Sequence, residues 1–362
     1  MAFPRGRSLS SVAVALAVGL TSVAGVRVAH AGKHDLKLLN LCRPGNSVLG
    51  DGIQECSWIQ GQRDPTTHAI TGQVTPDAES VSRSNFRSLM SELGVVIAPR
   101  LQTPADTLGF AGFQFSAELG MTKISNQERF WDGVEGVDPA NRMAARPDAY
   151  LTTVGGFVRK GIWLPLPAFE IGAGALNIVG SSMFSVQGYA KLALQEGFHS
   201  WPVPSVAIRL SASQLVGTDQ VDLTVVGVDA VISKAFSVAG TARFEPYLGG
   251  NLLFIDARSG VIDATPRCDA FALEHAATPP SPYCGQAGNA NDSFADFTFR
   301  KQDLITRQRY FAGFKLKLSV LFLTAEYDLI PVGRSRDDSQ VDGARDESGQ
   351  QQSFSLSTGF DF

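Results

Sequence analysis

The chain is 362 residues long, with 31 Lys and Arg against 35 Asp and Glu, a formal net charge of −4, and 36 Gly and 23 Phe. No basic block gathers the cations, so charge-driven binding to nucleic acid or to an anionic surface is excluded. Beyond residue 31 no apolar run approaches the roughly 18 residues that cross a membrane as a helix, which removes the helical membrane proteins.

Residues 1–31 read as a secretory signal peptide. Arg5 and Arg7 form a basic n-region, Val12 to Val26 an apolar stretch, and Ala29-His30-Ala31 an A-x-A cleavage site. Arg27 sits awkwardly for that reading, and Ser22-Val23-Ala24 is a second cleavage site. Export is expected either way, and loss of Arg5, Arg7 and Arg27 leaves the remainder more acidic. In an oxidising compartment Cys42 with Cys56, and Cys268 with Cys284, are expected as two local disulfides, each within a segment rich in Gly, Pro and polar residues. Neither pair has the C-x-x-C spacing or the nearby His pair of a zinc site, so no metal and no cofactor is expected.

Thr75-Pro76-Asp77 places a capping residue ahead of a Pro at the first helical position. Phe86, Leu89, Met90 and Leu93 then follow helical spacing as far as Gly94. One amphipathic helix is predicted near residues 76–93. The apolar stretch Leu93 to Leu101 also reads as a strand, which leaves the strand count open by a pair.

From there the period is two. Phe113, Phe115, Ala117, Leu119 and Met121 alternate with Gln114, Ser116, Glu118 and Thr122, and Phe184, Val186, Gly188, Ala190, Leu192 and Leu194 with Ser185, Gln187, Tyr189, Lys191 and Gln195. Val206, Ile208, Leu210 and Ala212 do the same against Arg209, Ser211 and Ser213, and Leu321, Leu323, Ala325, Tyr327 and Leu329 against Thr324, Glu326 and Asp328. Ten strands are predicted, at 110–124, 149–159, 167–179, 183–195, 204–214, 220–235, 243–257, 303–318, 320–330 and 351–362. Around Val225 and Val226 the alternation slips by one residue, which predicts a bulge.

In the last strand Phe354, Leu356, Thr358, Phe360 and Phe362 share one face, and Ser355, Ser357, Gly359 and Asp361 the other. A final strand that alternates in this way and ends on Phe resembles the assembly signal of bacterial outer-membrane β-barrels, with Phe354, Leu356, Phe360 and Phe362 as its apolar members. The resemblance covers the last nine residues closely and the rest by pattern. It implies an all-β fold, a closed antiparallel transmembrane β-barrel over residues 106–362 with about ten strands, eight to twelve being compatible. It also implies the bacterial outer membrane as location, outer-membrane lipid and lipopolysaccharide as surroundings, and the barrel assembly machinery as a partner. Residues 32–105 would then be a periplasmic segment, its helix resting near the barrel mouth or plugging the lumen. A soluble sandwich alternates too, but several of these strands run towards the 9 to 11 residues that a tilted membrane strand needs, past the usual 5 to 6.

With the first strand rising, the long connections 125–148, 258–302 and 331–350 all fall on the cell-surface side, together with 180–182 and 215–219. The short ones, 160–166, 196–203, 236–242 and 319, fall on the periplasmic side, where Trp163 and Trp201 suit an aromatic belt. The charges on the inward face are Glu118, Glu170, Lys191, Arg209, Asp229, Glu245, Lys315, Lys317, Glu326 and Asp361, with Asp229 among them only through the bulge at Val225 and Val226. In a barrel this narrow they are expected either to pair or to line opposite walls of a pore.

Catalytic sets are sparse. His30 leaves with the signal, His34 and His68 precede the strands, His199 lies in a short turn and His275 in the longest surface loop. A surface hydrolase would need His275 with Asp269 or Glu274, and His275→Ala is expected to change nothing. Gly172-Ala173-Gly174 lacks the later Gly of a dinucleotide fingerprint and reads as small residues on a barrel face. Asp337, Asp338, Asp342, Asp346 and Glu347 read as a solvated acidic loop; position twelve counted from Asp338 is Gly349, not the Glu of a calcium loop. Two functions stay open: a narrow porin-like conduit for small solutes lined by mixed charge, and a closed structural or surface-interaction barrel that binds through its loops. No enzymatic activity is expected.

Overall fold

The computed structural model describes residues 32–41, 76–137, 146–163, 168–197, 203–238, 241–263, 296–299, 304–333 and 344–362. The signal-peptide reading of 1–31, the four cysteines, His30, His68, His199, His275 and Trp201 all lie outside them.

Ten long strands pair in chain order around a ring. They are β1 (Phe113–Lys123), β2 (Tyr150–Ile162), β3 (Phe169–Ile178), β4 (Phe184–Gln195), β5 (Ser205–Val216), β6 (Val221–Ser233), β8 (Ala242–Ser259), β11 (Ile305–Leu318), β12 (Leu321–Ile330) and β13 (Gln351–Asp361). Every pairing is antiparallel, and the ring closes where β1 meets β13, with Gln114 opposite Asp361 and Thr122 opposite Ser353. A three-residue strand, β7 (Phe236–Val238), adds to the end of β8, and β9 (Ile262–Asp263) pairs with β10 (Asp296–Phe297) beside the barrel. Closure leaves no unpaired long edge, which is the condition for a sheet to stand in lipid.

The ring is inverted relative to a soluble protein. Along β5 the odd-numbered Ala207, Arg209, Ser211 and Leu215 are buried, while Ile208 and Leu210 on the other face are exposed. Phe115, Leu119, Val158, Val228, Leu252, Leu323 and Tyr327 are likewise exposed on other strands. An apolar belt of this kind outside a polar and charged interior is the surface of a barrel solvated by lipid. Leu210→Arg, near the middle of β5, is therefore expected to cost about 2–4 kcal/mol. Urea titration of the refolded protein in vesicles checks this; an unchanged midpoint would remove lipid from that face.

The slip at Val225 is not a bulge. Pairing of β6 with β5 and with β8 runs without a register shift, and burial alternates without a break from Val221 to Ser233. Val225 and Leu223 point inward because the inner wall there is apolar. The one register irregularity on β4 and β5 falls at Ala193/Gln195.

What that apolar wall faces is the helix, α1 (Pro76–Ile97). Its first residue is the predicted Pro, but it runs on through Gly94 to Ile97, stopping two residues short of Pro99, whose ring disfavours helix in the residue before it. Gly94 passes because it lies against the wall: a Cβ there would come within 2.7 Å of the Ile255 side chain. Phe86, Leu89, Met90, Leu93, Val96 and Ile97 are buried in one cluster with Leu215, Val221, Leu223, Val225, Leu253, Ile255 and Ile305. The described part of the segment expected ahead of the barrel, from Arg83 onward, therefore lies in the lumen. Its helix is a plug, not a neighbour of the mouth, because the inner wall offers it an apolar seat. Residues 93–101 supply no further strand.

Candidate functional site

After Ile97 the chain runs without regular structure down the rest of the lumen to Leu108, and every barrel strand grips it. Ser185 and Gln187 of β4 donate to the Ile97 carbonyl at 3.2 and 2.8 Å. Arg209 of β5 donates to the carbonyls of Arg100 and Pro99, at 2.7 and 3.3 Å, and Arg309 of β11 to that of Pro99 at 2.7 Å. The Arg100 guanidinium reaches Thr122 of β1, Thr153 of β2 and Ser353 of β13. Its path lies over Gly120, where a Cβ would collide with it.

Further down, Glu326 of β12 accepts from the Gln102 N–H at 2.7 Å, and Arg159 of β2 donates to the Gln102 carbonyl at 3.1 Å. Those two bonds hold Gln102 at φ +46°, a left-handed conformation that a side chain rarely adopts. Ser233 of β6 accepts from Ala105 N–H, and Lys191 of β4 donates to the Pro104 and Asp106 carbonyls. Arg243 of β8 pairs with Asp106 at 3.0 Å, and Glu170 of β3 accepts from Leu108 N–H. An irregular backbone at membrane depth needs such partners, since each unmet N–H or C=O would cost several kcal/mol.

The ten charges read from the sequence all project inward, and most are paired. Arg159 lies 3.4 Å from Glu118, Lys191 3.3 Å from Glu170, and Arg209 2.8 Å from Asp229, while Arg243 contacts Glu245. Lys315 and Lys317, the latter at the rim, both hold Asp361, at 2.6 and 2.9 Å. Glu326 accepts from Tyr247 as well as from Gln102. The charges therefore do not sort onto opposite walls. They pair, and what they leave over is spent on the plug.

Buried charges missing from those ten include Arg159, Arg307, Arg309 and Asp328 on the walls and Arg100 on the plug. Arg309 and Arg307 continue the odd-numbered inward phase of Lys315 and Lys317 back through Gly313 and Phe311, so carrying that phase towards the start of β11 reaches them. Arg307 ties the helix to the connection between β12 and β13, donating to Ser91 at 2.9 Å and to the Pro331 and Gly349 carbonyls.

Gly172 and Gly174 face inward on β3. Their missing side chains let the rings of Phe157 and Tyr189 lie against the strand, stacked 5.7 Å apart. Asp346, expected in a solvated acidic loop, is buried, accepting from Ser91 at 2.9 Å; Glu347 is exposed. The helix draws that stretch inward, with Ser88 accepting from Glu347 N–H and Glu92 from Gly349 N–H. His34, read as preceding the strands, packs in the mouth beside Val179 and Asp148. Trp163 is exposed at the opposite end, edge-on to Phe110 at 5.9 Å. Among the described residues no three His, Cys, Asp or Glu gather as a metal cage.

No family model and no curated protein matches the chain. Solved structures to which it is similar include Ail, the attachment invasion locus protein of Yersinia pestis, at 9% identity and TM-score 0.24, covering 70% of this chain and 99% of that one. Another is the N-terminal β-barrel domain of Pseudomonas aeruginosa OprF, at 10% and 0.25, with 70% and 99% covered. Neisserial surface protein A is a third, at 12% and 0.24, with 69% and 95% covered. These are bacterial outer-membrane barrels. The fold rests on the closed ladder itself and not on likenesses of that size.

Proposed function

We propose that this is a bacterial outer-membrane barrel closed along its axis by its own chain, a structural or surface-interaction protein that acts through what it presents at its loop end. The observation that carries this is the grip on residues 97–108 by all ten long strands, with the ten inward charges read from the sequence committed to partners and not to a solute. The porin-like conduit loses ground for the same reason. Purified, folded protein in planar bilayers is expected to give no channel steps; steady unitary conductance from the intact chain would overturn the reading.

Insertion is proposed to use the apolar face of β13. Phe354, Phe360 and Phe362 are exposed on the outside of the ring, with Leu356 partly so, and the rings of Phe360 and Phe362 stack 6.1 Å apart. Phe362→Ser is expected to lower the amount of heat-modifiable protein in outer-membrane fractions, while protein refolded from urea into detergent keeps its stability. An unchanged membrane yield would remove that role from Phe362.

A further inference from the structure

The described chain begins at one end of the barrel and starts its first strand at the other. Residues 32–41 rest on the connections that join β1 to β2, β3 to β4 and β5 to β6. His34 N–H donates to Gly180 O at 3.1 Å, Lys37 N–H to Gly133 O at 2.8 Å, and Leu38 N–H to the Gln220 side chain at 2.7 Å. Leu36 makes a β-bridge with Val134, and Asp35 accepts from Ser182 N–H. At the opposite end Phe113 exchanges hydrogen bonds with Phe362, and Gly161 donates to Gly112 O. Between the two ends, residues 83–108 run the length of the lumen.

We infer that the barrel carries its own amino-terminal segment across the membrane, so that residues 32–41 are displayed on the loop side, opposite the end where β1 begins and β13 finishes. This rests on the membrane-barrel reading above. On the loop side the segment is held by contacts on three connections, with Lys33 exposed beside Asp148 and Lys37 half-exposed beside Glu135.

Sidedness tests this. In full-length chain with the four native cysteines replaced by serine, Lys37→Cys is expected to react with a membrane-impermeant maleimide in intact cells, to the same extent as after permeabilisation. Ser237→Cys, on β7 at the other end, is expected to react only after permeabilisation. Lys33→Cys supplies a second position should Lys37→Cys fold poorly. The inference is overturned if the residue 33 and 37 positions label only in permeabilised cells while the protein remains heat-modifiable in the membrane fraction, or if both ends label in intact cells. Recovery of the protein in the soluble fraction would overturn the membrane-barrel reading itself, a distinguishable failure.

Discussion

Glu92→Ala should lower stability by about 3–5 kcal/mol and release the surface connections from the plug. The Glu92 side chain is fully buried on α1 and accepts three hydrogen bonds from two different connections: Trp131 Nε1 at 2.8 Å, Ser125 N–H at 2.9 Å and Gly349 N–H at 2.9 Å. Truncation to Ala leaves those three donors without an acceptor where no neighbouring group replaces it, and each orphaned donor costs about 1–3 kcal/mol. Urea-induced unfolding of the refolded protein reads the loss. Protease added to intact vesicles reads the release, as new cuts within 124–137 or 344–350. Wild-type resistance at both stretches would mean the connections are held by something other than this carboxylate.

Arg209→Ala should be comparably severe, again about 3–5 kcal/mol, for a different reason. Its guanidinium does two tasks at once, pairing with Asp229 on β6 and binding the carbonyls of Pro99 and Arg100. Removing it strands a buried carboxylate whose remaining support is Asn251 at 2.6 Å and Arg309 at 3.9 Å. Adding Asp229→Asn should recover the share due to the stranded charge and leave the share due to the two carbonyls. A double variant no better than the single one would show that Asp229 is well served without Arg209.

These two sites mark the boundary of what the amino-acid order discloses. The ten strands are legible because lipid outside and a contrasting interior impose a period of two, whereas their register is not, since alternation fixes which face a residue takes and not the shear between neighbours. Where the reading slipped, at Val225, the assumption of a polar lumen failed: half the bore is lined with Leu223, Val225, Leu253 and Ile255 because a helix lies against them. Most charges on strands were found by phase, whereas Asp229 was placed inward through a bulge that is absent and lies inward because the phase of β6 runs unbroken through Val225. Arg307 and Arg309 were passed over only because the phase was not carried to the start of β11.

The chain from Pro99 to Leu108 carries no periodicity at all. Most of its contacts with the strands depend on carbonyls and N–H groups, which no side-chain pattern reports, and β1, β8 and β13 are reached through the side chains of Arg100 and Asp106. Asp346 was misplaced for a related reason. A run of carboxylates reads as solvated unless a helix elsewhere presents hydroxyls to one of them, as Ser91 does.

A core that touches all its staves also acts as a gauge. Barrel width grows with the number of staves, and here Arg209, Glu326 and Lys191 each span a fixed gap to the same central thread. Duplicating one hairpin would move every one of those groups outward together, breaking the set as a whole and not one bond at a time. The threaded segment thus measures the circumference, and ten is the number at which the measurement comes out right.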